Sequence, residues 1–312
     1  MRKEKNKVII TGATGAIGIA LVKRCYELGW ESCAIVRPGS LRNRDLLVKY
    51  KTNIIECDLS ALQELSQNEF CYGADYFIHL GWSGTFGEQR NDVEMQRKNV
   101  QYALEACETA KVLGCEAFLF AGSQAEFGRV EGMLNENVPA NPETAYGRAK
   151  LEAGYATLEL CKKNGLRHLY FRILSVYGPG DGVDTMVSST IRNLKDGISP
   201  QFTKGEQLWD YLYSDDAAEA LLSACMRGKT GKIYCLGSGV ARPLREYIEQ
   251  IGRIVNPEVE LQIGSLPYRE NQVMHLCADI ANLVQDFEYV PKIDFENGIK
   301  RTLEYVRTDS IK

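Results

Sequence analysis

A doubly wound parallel α/β sheet with a smaller mixed C-terminal domain is the fold class this sequence predicts, and three observations predict it. Through the first half of the 312 residues, short β-prone runs alternate with amphipathic helical stretches. A glycine-rich turn, Thr11-Gly12-Ala13-Thr14-Gly15-Ala16-Ile17-Gly18, follows the first apolar run directly. After Ile173 the alternation stops, where Gly178-Pro179-Gly180-Asp181-Gly182 interrupts the chain.

Taken in order, strands are expected over Val8–Thr11, Ser32–Arg37, Asn53–Glu56, Tyr76–Leu80, Ala117–Ala121 and His168–Ile173. Helices are expected over Ala16–Leu28, Asp92–Leu113 and Ala145–Lys163, with Gly29, Gly114 and Gly165 placed where helices stop. Strands joined by helices need right-handed crossovers, hence a parallel sheet. The run Lys232–Leu236 is read as a strand that returns to that sheet. The chain then divides into a first domain, 1–173 with about 212–239, and a second, 174–211 with 240–312. The basic start, Met1 to Lys7, leads into too short an apolar stretch for a signal peptide and reads as a solvated tail.

Composition excludes several classes. A net charge of −4 gives no support for nucleic-acid binding. No apolar run approaches the length that spans a bilayer, so no membrane attachment is expected. The ten cysteines include no Cys-x2-Cys pair, and three histidines are too few and too distant for a zinc knuckle. No metal is expected, and the cysteines read as small buried apolar residues of a reducing cytoplasm.

The glycine turn carries the first chemical signal. Gly12, Gly15 and Gly18, with Thr14, Ala16 and Ile17, bring backbone N–H groups to the start of a helix. That suits the pyrophosphate of a dinucleotide. Three arginines, Arg37, Arg42 and Arg44, precede the first carboxylate, Asp45, after the second strand. A basic loop there can neutralise a 2′-phosphate, so NADP(H) is favoured and NAD(H) stays possible. A merely solvated loop is the alternative. Asp58 is placed either to meet the adenine amino group or to cap the next helix.

The second signal is Tyr146 and Lys150, on one helical face. With 16 tyrosines such a pair arises about once by chance, so its weight comes from company. Ser123 follows the strand Ala117–Ala121, at the sheet edge where ligands bind. Asn99, on the preceding helix, can order a water or backbone near the lysine. A nearby ammonium and an oxidised nicotinamide favour tyrosinate, and Ser123 can bond the same substrate oxygen. In the reductive direction Tyr146 donates a proton as hydride arrives.

Together Thr11–Gly18, Asp58-Leu59, His79-Leu80-Gly81, Ser123, Tyr146-x3-Lys150 and Val176-Tyr177-Gly178-Pro179-Gly180 resemble the extended short-chain dehydrogenase/reductase family, across essentially the whole chain. The resemblance implies a Rossmann NAD(P)-binding domain, with Leu59, Leu80, Gly81, Asn99, Tyr146 and Lys150 at the cofactor. It implies a second domain that grips a nucleotide-diphosphate sugar, and a homodimer through the helices Asp92–Leu113 and Ala145–Lys163. Stretches at Tyr177–Gly182, Gly205–Tyr211 and Tyr268–Asn271 look like those of the CDP-abequose and paratose synthase group, which reduces a 4-keto sugar. Two departures stand out. Gln124-Ala125 replace the Asp-Glu pair of the family's dehydratases. Trp209 stands where many relatives carry a diphosphate-binding arginine, leaving Arg269 and Arg192 as substitutes. Trp209 either stacks on a base or fills the core. Substrate contacts are thus expected at Ser123, Gln124, Ser175, Arg192, Trp209 and Arg269. A 4-keto reductase is the expectation; a nucleotide-sugar 4-epimerase and a non-catalytic redox-sensing protein are its rivals.

Overall fold

The computed structural model describes residues 6–309. The expected solvated tail therefore falls almost wholly outside the described residues. The chain runs β1 (Lys7–Thr11), α1 (Ala16–Glu27), β2 (Glu31–Val36), α2 (Arg44–Lys49), β3 (Asn53–Glu56), β4 (Tyr76–His79), α3 (Val93–Val112), β5 (Ala117–Ser123), α4 (Ala145–Asn164) and β6 (Arg167–Ile173). It continues with β7 (Ser175–Tyr177), α5 (Met186–Lys195), β8 (Gln201–Phe202), β9 (Leu208–Trp209), β10 (Tyr211–Tyr213), α6 (Ser214–Arg227) and β11 (Ile233–Leu236). Last come β12 (Arg242–Pro243), α7 (Leu244–Val255), β13 (Gln262–Ile263), β14 (His275–Leu276), α8 (Ala281–Phe287) and α9 (Phe295–Asp309).

The seven strands of the main sheet lie in the order β11-β6-β5-β4-β1-β2-β3, all parallel. A parallel sheet covered on both faces needs near-continuous apolar strands. Accordingly β1, β2, β4, β5 and β6 are buried along almost their whole length. One face packs against α1, α6 and α8, with Leu21, Ala218, Leu221 and Leu283 in its core. The other packs against α3, α4 and a 3-10 segment at Leu59–Gln67, with Leu62, Ala103, Ala106 and Ala153 in its core. Leu283, Phe287 and Tyr289 join the sheet's core although their stretch stands among elements of the second lobe. An amphipathic helix does not announce in sequence which lobe it will cover.

The rest builds around small sheets. β7 pairs with β10, β9 lies between β12 and β14, and β8 pairs with β13. Helices α5, α7 and α9 enclose a core that includes Tyr177, Ile191, Tyr213, Tyr247, Ile251, Phe295 and Ile299. The strand expected to end at Ala121 runs on to Ser123, which places that serine at the carboxyl end of the sheet. All ten cysteines are buried and unpaired by disulfides. Among the described residues no helix is long and apolar enough to cross a membrane.

Candidate active site

The phosphate turn is built by close approach. Gly12 has φ +68°, and a Cβ there would stand 3.0 Å from the backbone of Leu80 and Gly81. Only glycine meets both demands at little cost. A Cβ on Gly18 would collide with the Gly12 carbonyl oxygen and with Ala13. Gly15 caps α1 and donates its N–H to the Gly12 oxygen at 3.1 Å. The Thr11 hydroxyl accepts from the Gly81 N–H at 3.0 Å and bonds His79 Nδ1 at the same distance. Thus β1 and β4 are tied together beside the turn.

Above this turn opens a cavity of about 700 Å³. Gly12, Thr14, Gly15, Ala16, Leu59, Leu80 and Gly81 line it. Ile17 and Gly18 do not: Ile17 packs against the sheet core and Gly18 is buried against the turn. What they offer an anion is the set of backbone N–H groups in the first turn of α1. Arg37 and Arg42 reach the cavity wall, while Arg44 pairs with Glu56 at 2.6 Å. Arg42 also donates to the Gly180 carbonyl at 2.9 Å, which joins the loop after β2 to the loop before α5. Asp58 does cap its 3-10 segment, accepting from the Ser60 N–H at 3.0 Å and from its hydroxyl at 2.7 Å, and those bonds hold its carboxyl below the usual range. It lines the cavity too, so the two expectations for Asp58 are compatible. The glycine cradle, the exposed helix start and the arginines fit a dinucleotide in size and charge.

Ser123, Tyr146 and Lys150 come together at the carboxyl edge but do not line that cavity. They are 8 %, 8 % and 3 % exposed, so the bulk solvent hardly reaches them. Thr144 starts α4 by accepting the Gly147 N–H at 3.0 Å, and one turn of helix then carries Tyr146 and Lys150 inward. Lys150 Nζ donates to the Ala121 carbonyl at 2.7 Å and lies 3.8 Å from the centroid of the Trp82 ring. Burial pushes its pKa down to about 7, against the pull of the Glu126 charge. Burial also pushes the Tyr146 phenol up; the Ser123 hydroxyl and the Arg90 guanidinium work the other way, and Glu126 adds to the rise.

Sequence reasoning missed three residues here. Trp82 lines the cavity, stands edge-on to Tyr146 with ring centroids 6.3 Å apart, and covers Lys150. Arg90 lies on the Tyr146 ring, Cζ 4.4 Å from its centroid. Glu126 is fully buried: it accepts from the Ser123 N–H at 2.7 Å, from the Tyr170 hydroxyl at 2.6 Å and from Arg172 Nε at 2.7 Å. A charged residue so soon after Ser123 was the available signal for the last. Asn99 holds backbone: its amide bonds both the N–H and the carbonyl of Ser83, at 3.0 and 2.9 Å.

The substrate candidates scatter more widely. Trp209 Nε1 donates to Ser175 Oγ at 2.8 Å, so those two meet, and the ring packs with apolar neighbours of two small cores. Arg242 lies directly across from Trp209 in the strand pair β12–β9. Gln124 opens the turn after Ser123 and is partly buried. Arg192 is exposed on α5. Arg269 is exposed on the segment that leads into β14, and Tyr268 beside it bonds Glu206 instead.

Comparison with known proteins agrees with this construction. A family model described as NAD dependent epimerase/dehydratase family matches residues 8–237. CDP-abequose synthase from Salmonella typhimurium is 24% identical over 96% of this chain and 98% of its own length. The dTDP-4-dehydro-6-deoxyglucose reductase of Escherichia coli is also 24% identical, over 98% of this chain and 99% of its own. In three dimensions the chain is similar to UDP-glucose 4-epimerase of Thermotoga maritima, solved with UDP-glucose, at a TM-score of 0.86 and 21% identity, over 97% of this chain and 99% of that one.

Proposed function

The chain belongs to the NAD dependent epimerase/dehydratase family, and from that premise we propose that it reduces a 4-keto nucleotide-diphosphate sugar with NADP(H), Tyr146 donating the proton. One observation carries the reading: Ser123, Tyr146 and Lys150 meet at the carboxyl edge of the sheet, next to a cavity of dinucleotide size. The relatives at 24% identity include a dTDP-4-dehydro-6-deoxyglucose reductase and a CDP-abequose synthase, which is consistent with it.

The chemistry follows from the chain's own groups. The bound cofactor supplies the hydride. Ser123 and Tyr146 hold the ketone oxygen between two hydroxyls, which polarises it and fixes its position. Tyr146 gives up its proton as the oxygen gains charge. Lys150 keeps its nitrogen on the Ala121 carbonyl and the Trp82 face, ready to bond a ribose hydroxyl. The low exposure of all three keeps competing water away. Dehydration needs a carboxylate facing the sugar. Gln124-Ala125 offer none, and Glu126 is turned inward onto Arg172 and Tyr170. NADP(H) over NAD(H) rests on Arg37 and Arg42 at the cavity wall.

The nucleotide diphosphate is assigned to the second lobe, near Ser175, Trp209 and Arg269, with Gln124 and Arg192 as further candidates. A homodimer through α3 and α4 belongs to the same proposal. Mass spectrometry of the cofactor and sugar nucleotide retained by native protein tests the whole. A 4-keto sugar nucleotide reduced to its 4-hydroxy product with consumption of NADPH is the expected result. Interconversion of two epimers with no net cofactor consumption would instead make the protein an epimerase.

A further inference from the structure

The segment between β4 and α3, residues 82–92, is strapped down. Gln96 on α3 is 1 % exposed; its side chain donates to the carbonyls of Gly84 at 2.9 Å and Gln89 at 3.0 Å and accepts from Trp82 Nε1 at 2.8 Å. The Asn91 side chain accepts from the Ala145 N–H at 3.3 Å and so ties the strap to the start of α4. Within this frame Arg90 donates to the Thr85 carbonyl at 3.1 Å. Its guanidinium lies over the Tyr146 ring, and among the described residues no carboxylate pairs with it.

A guanidinium stacks on aromatic faces as well as pairing with carboxylates, and here the face is that of Tyr146. Every charged or titratable group around Tyr146 bears on what it does. From the strap comes Arg90. From the same helix comes Lys150, 5.9 Å from the ring centroid and already engaged with Ala121 and Trp82. From the turn after β5 comes Glu126, whose charge is shared with Arg172 of β6. From β5 itself comes the Ser123 hydroxyl. Of the two cations, Arg90 is nearer the ring centroid, and Lys150 is the more deeply buried, which pushes its pKa down to about 7.

We propose that Arg90 is a positioning residue for proton transfer: stacked on Tyr146, it stabilises the negative charge that the ring carries once its proton has left. The Tyr-x3-Lys spacing alone supplies one cation, Lys150. The inference rests on the reading of Tyr146 as proton donor, and it adds a second cation from another element: Arg90 acts from the strap beside Lys150 on the helix. Gln96 then acts through Arg90 by holding the strap.

The test is an ultraviolet difference titration of tyrosinate near 295 nm, on the protein saturated with NAD or NADP in oxidised form. Subtracting the curve of Tyr146→Phe isolates Tyr146 from the other tyrosines. Arg90→Gln should move that titration upward by about one pH unit, the lower end for loss of an adjacent opposite charge. Arg90→Lys should fall between, because it keeps the charge but not the planar stack. A titration unmoved in both variants overturns the proposal. If Arg90→Gln does not fold, an Arg90→Lys titration identical to wild type overturns it equally. Turnover separates this link from the reading beneath it. A shifted titration alongside full activity in Tyr146→Phe would discard Tyr146 as donor while the electrostatic link stands. An unmoved titration alongside lost activity in Tyr146→Phe would discard the link alone.

Discussion

Tyr146 meets Ser123, Arg90, Trp82 and Lys150 within a few ångströms, and each changes what its hydroxyl can do. Tyr146→Phe keeps the ring and its packing. It should therefore leave cofactor affinity intact and lower turnover by at least about 10²-fold, the lower range for a general acid. Near-normal turnover in that variant would take Tyr146 out of the mechanism. Cofactor choice is decided by two other side chains. Arg37→Asp should weaken NADPH far more than NADH in a fluorescence titration, because it sets a repelling charge at the cavity wall. Arg44→Asp should do much less, since Arg44 is already committed to Glu56. Equal losses for both cofactors with Arg37→Asp would sink the NADP assignment. Lys150 makes a prediction about pH. Its native pKa is lowered to about 7 from an ordinary 10.5. Between those values the unfolded chain holds a proton that the native chain has lost, so stability should rise as pH climbs through that window. Urea unfolding at pH 7 and at pH 9 should show the rise in wild type and a smaller one in Lys150→Met. Identical slopes would mean that Lys150 stays charged in the native protein.

Local elements decide how these residues are presented. The turn from β1 to α1 works because Gly12 and Gly18 allow backbone to lie on backbone. Gly18→Ala puts a methyl against the Gly12 carbonyl, and no flexible side chain is there to yield. The turn must shift, at a cost of about 1–3 kcal/mol for a forced fit. Dinucleotide affinity should fall and the thermal midpoint with it; an unchanged midpoint and affinity would show that α1 can slide. This element was fully legible in sequence, since glycine spacing after an apolar run reports a backbone geometry directly. Arg44–Lys49, by contrast, forms a short helix that no periodicity announced, and its N-cap Asn43 sits at φ 53°. The strap at 82–92 was equally silent. Its order comes from one buried glutamine on a neighbouring helix, and a tertiary contact of that kind leaves no local pattern.

At the scale of the whole molecule, the strands of the Rossmann sheet and the helices α1, α3 and α4 were read within a residue or two, because fully buried parallel strands are conspicuously apolar. The small sheets were not. Strands of two or three residues such as β8, β9 and β12 carry no periodicity, and long-range pairing alone defines them. For the same reason the chemical trio was legible and its surroundings were not. Ser123, Tyr146 and Lys150 belong to long regular elements. Trp82, Arg90 and Glu126 reach their places through loops and short 3-10 turns.

The strand order also sets a timetable for the chain as it is made. β6 ends at Ile173, but its outer neighbour β11 begins only at Ile233, and α6, which covers α1, is made in between. At about 5–20 residues per second, a strand leaving the ribosome would wait roughly 3–12 s with a bare edge. During that wait one face of the sheet also lacks α6 and α8. The nascent chain is therefore most prone to pair wrongly after its nucleotide-binding motif is complete and before its last sheet strand exists. A chain stopped at residue 180 should accordingly scatter light and melt without cooperativity at concentrations where the full chain stays monodisperse. A soluble, cooperatively melting 1–180 fragment would show that six strands already suffice, and that the seventh is added to a finished fold.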